Sequence, residues 1–337
     1  MKRNIQISAI RLICTAAVVV LHIVQQLERL YAPIRMVTDW LNLGLVMFFC
    51  ISAFLYSQRE ITNVPKWYLH RFLEIAIPSV LVGAVVLAVF GIFGNLDAEK
   101  IWGSVLSCIG LQVCANNSFM FVQLWFLTYL LFFYLTVPLV QKIDCKKVSE
   151  VAFWTMMVVG TVALQGVTLI AEKLTGITLL SVGILLRFYL PYFVFKRYNI
   201  AEDRIKPVMW LFTILSAVAV AVIAWVRYTP NIGIPEALAE LLFVYVQTIV
   251  GFTLFYWLYR GFTRLKTYGK VLKTADKYSY EVYLTHCMFI GYSTSLIWAA
   301  PNVAIGVVAA LVATAISSVA IHYMADAVKR PIKRCIQ

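Results

Sequence analysis

The sequence predicts an all-α polytopic membrane protein with about ten transmembrane helices and both termini in the cytoplasm. Three observations carry that prediction. Of 337 residues, 62% are hydrophobic (AVILMFWYC) and only 13% are charged, against roughly 45–50% and 25% in soluble domains. The apolar residues run unbroken for about 20 positions at a time, the length of a membrane-crossing helix, rather than in the alternating ten-residue segments of a β-barrel. The 29 Lys and Arg, against 16 Asp and Glu, collect in alternate loops, as residues retained on the cytoplasmic side do. With a mean hydropathy of +0.83, these features exclude a soluble enzyme, a disordered chain and a disulfide-stapled miniprotein.

In chain order the spans are expected at 6–26, 39–58, 72–94, 121–141, 151–171, 177–195, 207–226, 236–259, 278–297 and 302–325. Ten spans leave too little chain for a second folded domain, so a single integral-membrane domain over 1–337 is expected. No small-residue cleavage site follows the first span, which is therefore expected to remain as an anchor. Segment 101–119 (IWGSVLSCIGLQVCANNSF) is too short and polar for a span and fits an interfacial or re-entrant stretch. With the N-terminus inside, 22 of the 29 basic residues fall inside, five outside, and two, Arg11 and Arg187, within spans. The net charge of +13 is thus largely topological and gives no reason to expect nucleic acid.

The densest basic loop, 260–277, holds six positive charges and one Asp. It suits anionic lipid headgroups and topology or a phosphate-bearing substrate. The seven cysteines form no C-x-x-C pair, so no zinc or thioredoxin-type site is expected. Cys108 and Cys114 fit either an outer disulfide or two free thiols. No Gly-rich phosphate loop, haem motif or repeat occurs.

Ionisable groups inside spans are costly and face cavities or partners, so they form the list of candidate site residues. Arg11 and His22 are eleven residues apart, three helical turns plus about 20°, which places them on one stripe about 16 Å apart along the axis. That face offers an anion anchor near the cytoplasm and a titratable base further out, although an interhelical hydrogen bond also accounts for a single His. Arg187 lies mid-span in LLRFYLPYFVF and needs a carboxylate, carbonyls or an anionic substrate. Glu281 and His286 share the ninth span, Glu240 lies a turn inside the eighth, and Ser52 sits among aromatics in MFFCISAFLYS. Trp125 opens the fourth span in QLWFL, where a belt or a stacking role fits. His70, Arg71 and Glu74 begin the third, where snorkelling and a local ion pair are expected. His322 and Asp326, one turn apart, are expected to touch.

These residues carry a resemblance. Arg11-x10-His22, MFFCISAFL, HRFLEIAIP, LWFL, LPYFVF and YSYEVYLTH, in this order over nearly the whole chain, are similar to the membrane-bound acyltransferase-3 family of bacterial integral-membrane O-acyltransferases. The chain differs from the family pattern at Ala53, Gln123 and Glu74, and it lacks a Gly in LPYFVF. The resemblance implies a multi-pass protein of the bacterial cytoplasmic membrane. Such an enzyme moves an acyl group, usually acetyl, from cytoplasmic acyl-CoA to a hydroxyl of an envelope glycan or other extracytoplasmic acceptor. It implies that Arg11 and Arg71, with Trp125, His286 and Glu281, bind the donor, and that His22 acts as general base or acyl relay. Arg187, Ser52 and Trp125 are then candidate donors to the oxyanion, acetyl-CoA is a substrate rather than a bound cofactor, membrane lipids surround the protein, and no metal is implied. A transporter or flippase for a glycan precursor or small molecule, without acyl transfer, is the alternative reading of the same polar path.

Overall fold

The computed structural model describes residues 4–28, 35–92, 97–112, 122–175, 181–229, 233–265, 269–291 and 295–336. Every regular element among them is helical. A bilayer interior offers no water to unpaired backbone N–H and C=O groups, so helices that satisfy them internally are favoured. Seven helical segments are long and apolar enough to cross a membrane: Ile5–Leu27, Val37–Ser57, Val64–Ile92, Glu150–Thr175, Asp203–Arg227, Glu236–Arg264 and Val303–Ile332. The protein is therefore an all-α, multi-pass membrane protein.

Each of the ten expected spans overlaps a helix. The three outside the group of seven are short: α6 (Trp125–Val140, 16 residues), α8 (Val182–Arg197, 16 residues) and α12 (Ser279–Ile290, 12 residues). At 1.5 Å per residue α12 extends about 18 Å, well short of a ~30 Å hydrocarbon layer. In 101–119 the described residues are 101–112, most of them in α5 (Ala98–Cys108), an eleven-residue helix capped by Asp97, and 113–119 lie outside the described residues.

The chain divides into two compact units, each drawing on several stretches of sequence. Helix α1 (Ile5–Leu27) runs unbroken and contributes its first part, to Cys14, to one unit and the rest to the other. Its start is set by Asn4, whose Oδ1 accepts from Ile7 N at 3.0 Å, satisfying one of the helix's orphan donors.

The first unit joins the start of α1 to α3 (Leu43–Ser57), α7 (Glu150–Thr175), α8, α9 (Lys206–Tyr228) and α10 (Glu236–Gly261). Its core comprises residues such as Ile10, Val46, Phe195, Phe252 and Phe255. Small residues let these helices approach, as in other membrane bundles. A Cβ on Gly251 would lie 2.5 Å from Val46 Cγ1, and one on Gly183 2.5 Å from Val244 Cγ1. Helix α7 buries only Phe153 and presents Val151, Val158, Val162 and Ile170 outward. In water such a face would be a large apolar patch; against lipid it is matched to its solvent.

The second unit holds the rest of α1, α2 (Arg35–Leu41), α4 (Val64–Ile92), α5, α6, α11 (Lys270–Lys277), α12, α13 (Leu296–Ala299) and α14 (Val303–Ile336). Here α12 packs on α14, and Val19, Ile290, Ile297 and Ala310 form a small core. Helix α4 starts at Asn63, whose Oδ1 accepts from Lys66 N at 3.0 Å. Cys108 is a buried free thiol in this unit, and Cys114 lies outside the described residues.

Candidate functional site

In the second unit the outer half of α1 meets α12 through two imidazoles. The His22 and His286 ring centroids are 5.0 Å apart. His286 is fully buried, whereas His22 keeps partial access. Each ring is held by its Nδ1. His22 Nδ1 lies 2.7 Å from Gln25 Oε1, and His286 Nδ1 lies 3.1 Å from Val282 O. Both oxygens only accept, so both Nδ1 atoms carry a proton, and in the neutral rings both Nε2 atoms carry a lone pair. The lone pairs then differ. Cys287 Sγ donates to His286 Nε2 at 3.2 Å, whereas His22 Nε2 has no hydrogen-bond partner among the described residues. His22 is thus the imidazole with an available basic nitrogen, and His286 packs beside it with both nitrogens engaged.

Around this pair the helices supply an aromatic wall. Tyr283 lies 5.9 Å from His286 and 5.4 Å from Phe126 between ring centroids, and Trp125 sits edge-on to Tyr129 at 5.8 Å. Gln123, one of the departures from the family pattern, accepts at its carbonyl from Tyr283 Oη, and its Nε2 donates to Leu284 O at 3.5 Å. The side-chain donor atoms of His22, His286 and Cys287 lie within 4.8 Å of one another, the one grouping among the described residues with the chemistry to hold a soft cation.

Glu281 shares α12 with His286 but lies five residues away, about 140° around the helix, and faces α14. Its Oε1 receives His322 Nδ1 at 2.8 Å, and His322 Nε2 lies 3.9 Å from Asp326. Lys329 joins Glu74 at 3.2 Å and Asp326 at 3.7 Å. The expected contact of His322 with Asp326 is present. Glu74 thus pairs across the unit with Lys329 of α14. Arg71, half-buried on α4, belongs to this unit as well.

The first unit holds a buried arginine. Arg187 is 2% exposed, and its Nη2 donates to Gln247 Oε1 on α10 at 2.9 Å. Asn42 Nδ2 donates to the same oxygen at 3.5 Å. Pro191, four residues on, has no N–H to give to the Arg187 carbonyl. Cys50 Sγ of α3 approaches that carbonyl at 3.8 Å instead. Ser52, one residue beyond the buried Ile51, is half-buried and makes no side-chain hydrogen bond among the described residues. Arg11 is half-buried on α1, three residues before the buried Cys14. Arg227 and Glu240, at facing ends of α9 and α10, form an ion pair at 2.9 Å.

Arg260 donates to Ala201 O at 2.8 Å and pairs with Asp203 at 3.4 Å in the first unit, while Lys270, Lys273 and Lys277 lie on α11 in the second.

Sequence reasoning singled out His22, His286, Arg187 and Ser52 but passed over Gln25 and Gln247, the side chains that hold two of these. Gln25 carried a signal, since a position three residues on from a helical His lies over the same face. Gln247 carried none.

A family model described as an acyltransferase domain, acyltransferase-3, matches residues 4–323, nearly the whole chain. No curated protein and no solved structure matches the chain.

Proposed function

The chain belongs to that acyltransferase-3 family and is a membrane acyltransferase; from this premise we propose that it moves an acetyl group from cytoplasmic acyl-CoA to a hydroxyl of an envelope glycan or a similar extracytoplasmic acceptor. In this reading the protein sits in a bacterial cytoplasmic membrane as one ten-span domain with both termini inside. The observation that carries the chemistry is His22, with its Nδ1 proton on Gln25 and its Nε2 lone pair unengaged. An imidazole in that state is suited to general-base work near neutral pH.

The steps balance without a further reactant. His22 Nε2 takes the proton of the acceptor hydroxyl as its oxygen attacks the thioester carbonyl. The resulting oxyanion needs a hydrogen-bond donor; Trp125 lies in the same unit as His22, and Arg187 and Ser52 are candidates by their chemistry. Collapse breaks the C–S bond, and the CoA thiolate leaves with the proton that His22 had taken. Gln25 keeps the imidazole in the required tautomer throughout. His286 sets the plane against which the His22 ring rests. Arg11 and Arg71 hold donor phosphates by charge-assisted bonds, and Glu281 acts on the donor through its bond to His322. The reading invokes no metal, and membrane lipid is the surrounding solvent.

The test uses acetyl-CoA labelled in the acetyl group, membranes containing the protein, and envelope material from a strain lacking the gene. Label is expected in an ester of the envelope fraction. Unlabelled envelope, together with movement of a glycan precursor across liposomes without any acyl donor, would overturn the reading in favour of transport.

A further inference from the structure

Three connecting segments in the first unit, those after α3, α6 and α8, meet around one polar cavity of about 620 Å³. All three follow even-numbered spans, so they share one side of the membrane, and the excess of Lys and Arg in alternate loops makes that side the cytoplasm. The floor is aromatic. Tyr192 and Phe195 of α8 are each 1% exposed and line the cavity, and the Tyr192 hydroxyl has no hydrogen-bond partner among the described residues.

The walls are cationic. Lys196 donates to the carbonyls of Val140, at 3.5 Å, and Gln141, and its Nζ lies 5.9 Å from the centre of the Tyr192 ring. Lys142 and Lys146 extend from the 141–149 segment with no side-chain bond to any described residue. The neighbouring Lys147, by contrast, is paired with Asp144 at 3.4 Å and lies outside the cavity. Arg59 adds a fourth cation to the lining, which also includes the carboxylates of Glu60 and Glu202. Gln58, whose Nε2 donates to Phe195 O at 3.0 Å, ties the segment after α3 to the floor.

A flat basic loop would be explained by topology alone. A concavity with an aromatic floor, an unsatisfied phenol and surplus ammonium groups is the chemistry that receives a phosphorylated heterocycle. Its volume lies within the ~300–1,000 Å³ range of small-molecule sites. We propose that this cavity binds the nucleotide end of the acyl donor, with Lys142 and Lys146 on its phosphates and Tyr192 beneath its ring. The proposal rests on the acyl-CoA reading above and adds residues that the intramembrane charges do not include.

The experiment measures equilibrium binding of labelled CoA, and KM for acetyl-CoA, with the full-length protein in nanodiscs of phosphatidylcholine alone and with added phosphatidylglycerol. The variants are Lys142→Gln/Lys146→Gln together and, as a control, Lys147→Gln. The double variant is expected to weaken CoA binding and raise KM about 10-fold in both lipid compositions, with kcat unchanged. A smaller effect is expected for 3′-dephospho-CoA, and none for the control. Loss of two partly screened charge-assisted contacts has this size. Unchanged binding in the double variant, or no CoA binding by the native protein, overturns the proposal. An effect confined to the anionic nanodiscs also overturns it, since the cavity would then hold a lipid headgroup. Transfer from acetyl-CoA at unchanged KM removes the pocket and leaves the reaction, whereas CoA binding that needs Lys142 and Lys146 without any acyl transfer removes the reaction and leaves the pocket.

Discussion

Arg187 and His22 both lean on a glutamine amide oxygen, yet they are built for different work. Arg187 in the first unit is 2% exposed and donates to Gln247 at 2.9 Å. Its guanidinium stays charged at any relevant pH, so Gln247 and its surroundings serve to hold a charge. His22 in the second unit is half-buried and donates to Gln25 at 2.7 Å. That bond engages one nitrogen and leaves the other with a lone pair. The same acceptor that neutralises the cost of a buried cation thus prepares a base when the donor is an imidazole. One centre is suited to stabilising negative charge and the other to moving a proton.

Breaking the base is expected to have the largest effect. His22→Ala should lower kcat for acyl transfer by about 10²–10⁴-fold at unchanged expression, read with labelled acetyl-CoA; activity within a few-fold of native would remove His22 from the chemistry. Next comes Arg187→Met, which leaves Gln247 facing an apolar group. It should cost about 1–3 kcal/mol of stability, visible as a lower unfolding midpoint in detergent. Adding Gln247→Leu should recover part of that loss, because the amide that faced Arg187 goes with it while Asn42 Nδ2 loses its acceptor. The repaired double variant should still transfer about 10²-fold more slowly if Arg187 meets the oxyanion. Full activity in it would make Arg187 purely structural.

Gln25→Leu sharpens the other side of the comparison. It removes only the group that orients the base, so kcat should fall about tenfold with KM unchanged, while folding is retained. A change in KM alone would place Gln25 in substrate binding instead. The smallest effect is expected outside both centres, at Asp97. The Lys100 side chain, and then its backbone N–H, hold the Asp97 carboxyl below the usual carboxylate range. Its contribution is therefore present above that range and is lost as pH falls through the lowered value. Asp97→Asn should shift the unfolding midpoint at pH 7 by no more than about 1–2 °C and leave transfer unchanged.

Much of the fold was legible because each cause is local. The runs behind α1, α4, α7, α9, α10 and α14 gave helices within a few residues of the expected spans, apart from the longer reach of α4 and α14. Within the expected spans at 177–195 and 278–297 the described residues form a helix of 16 residues and one of 12 followed by α13, with 177–180 and 292–294 outside the described residues. These are the stretches that carry Arg187 and Pro191, and Glu281 and His286, where polar groups and a missing N–H interrupt the apolar pattern. Among the candidate residues, Arg11, His22, Arg187 and His286 stood out as charges or imidazoles against an apolar background. Their partners did not, since Gln25, Gln247 and Cys287 are ordinary residues in a helix until something faces them.

The sequence by itself determined the class of the protein and the side chains worth testing. A bilayer has a set thickness and no water, so run length and intramembrane charge speak without reference to the rest of the chain. Only the tertiary structure decided which side chain answers which. It brought His286 to His22 across 264 positions of sequence, turned Glu281 away from both towards His322, and drew three separate loops around Tyr192 and Lys196. Such pairings depend on helix packing among distant segments, where small residues such as Gly251 and Gly183 set the approach, and no periodicity along the chain encodes them.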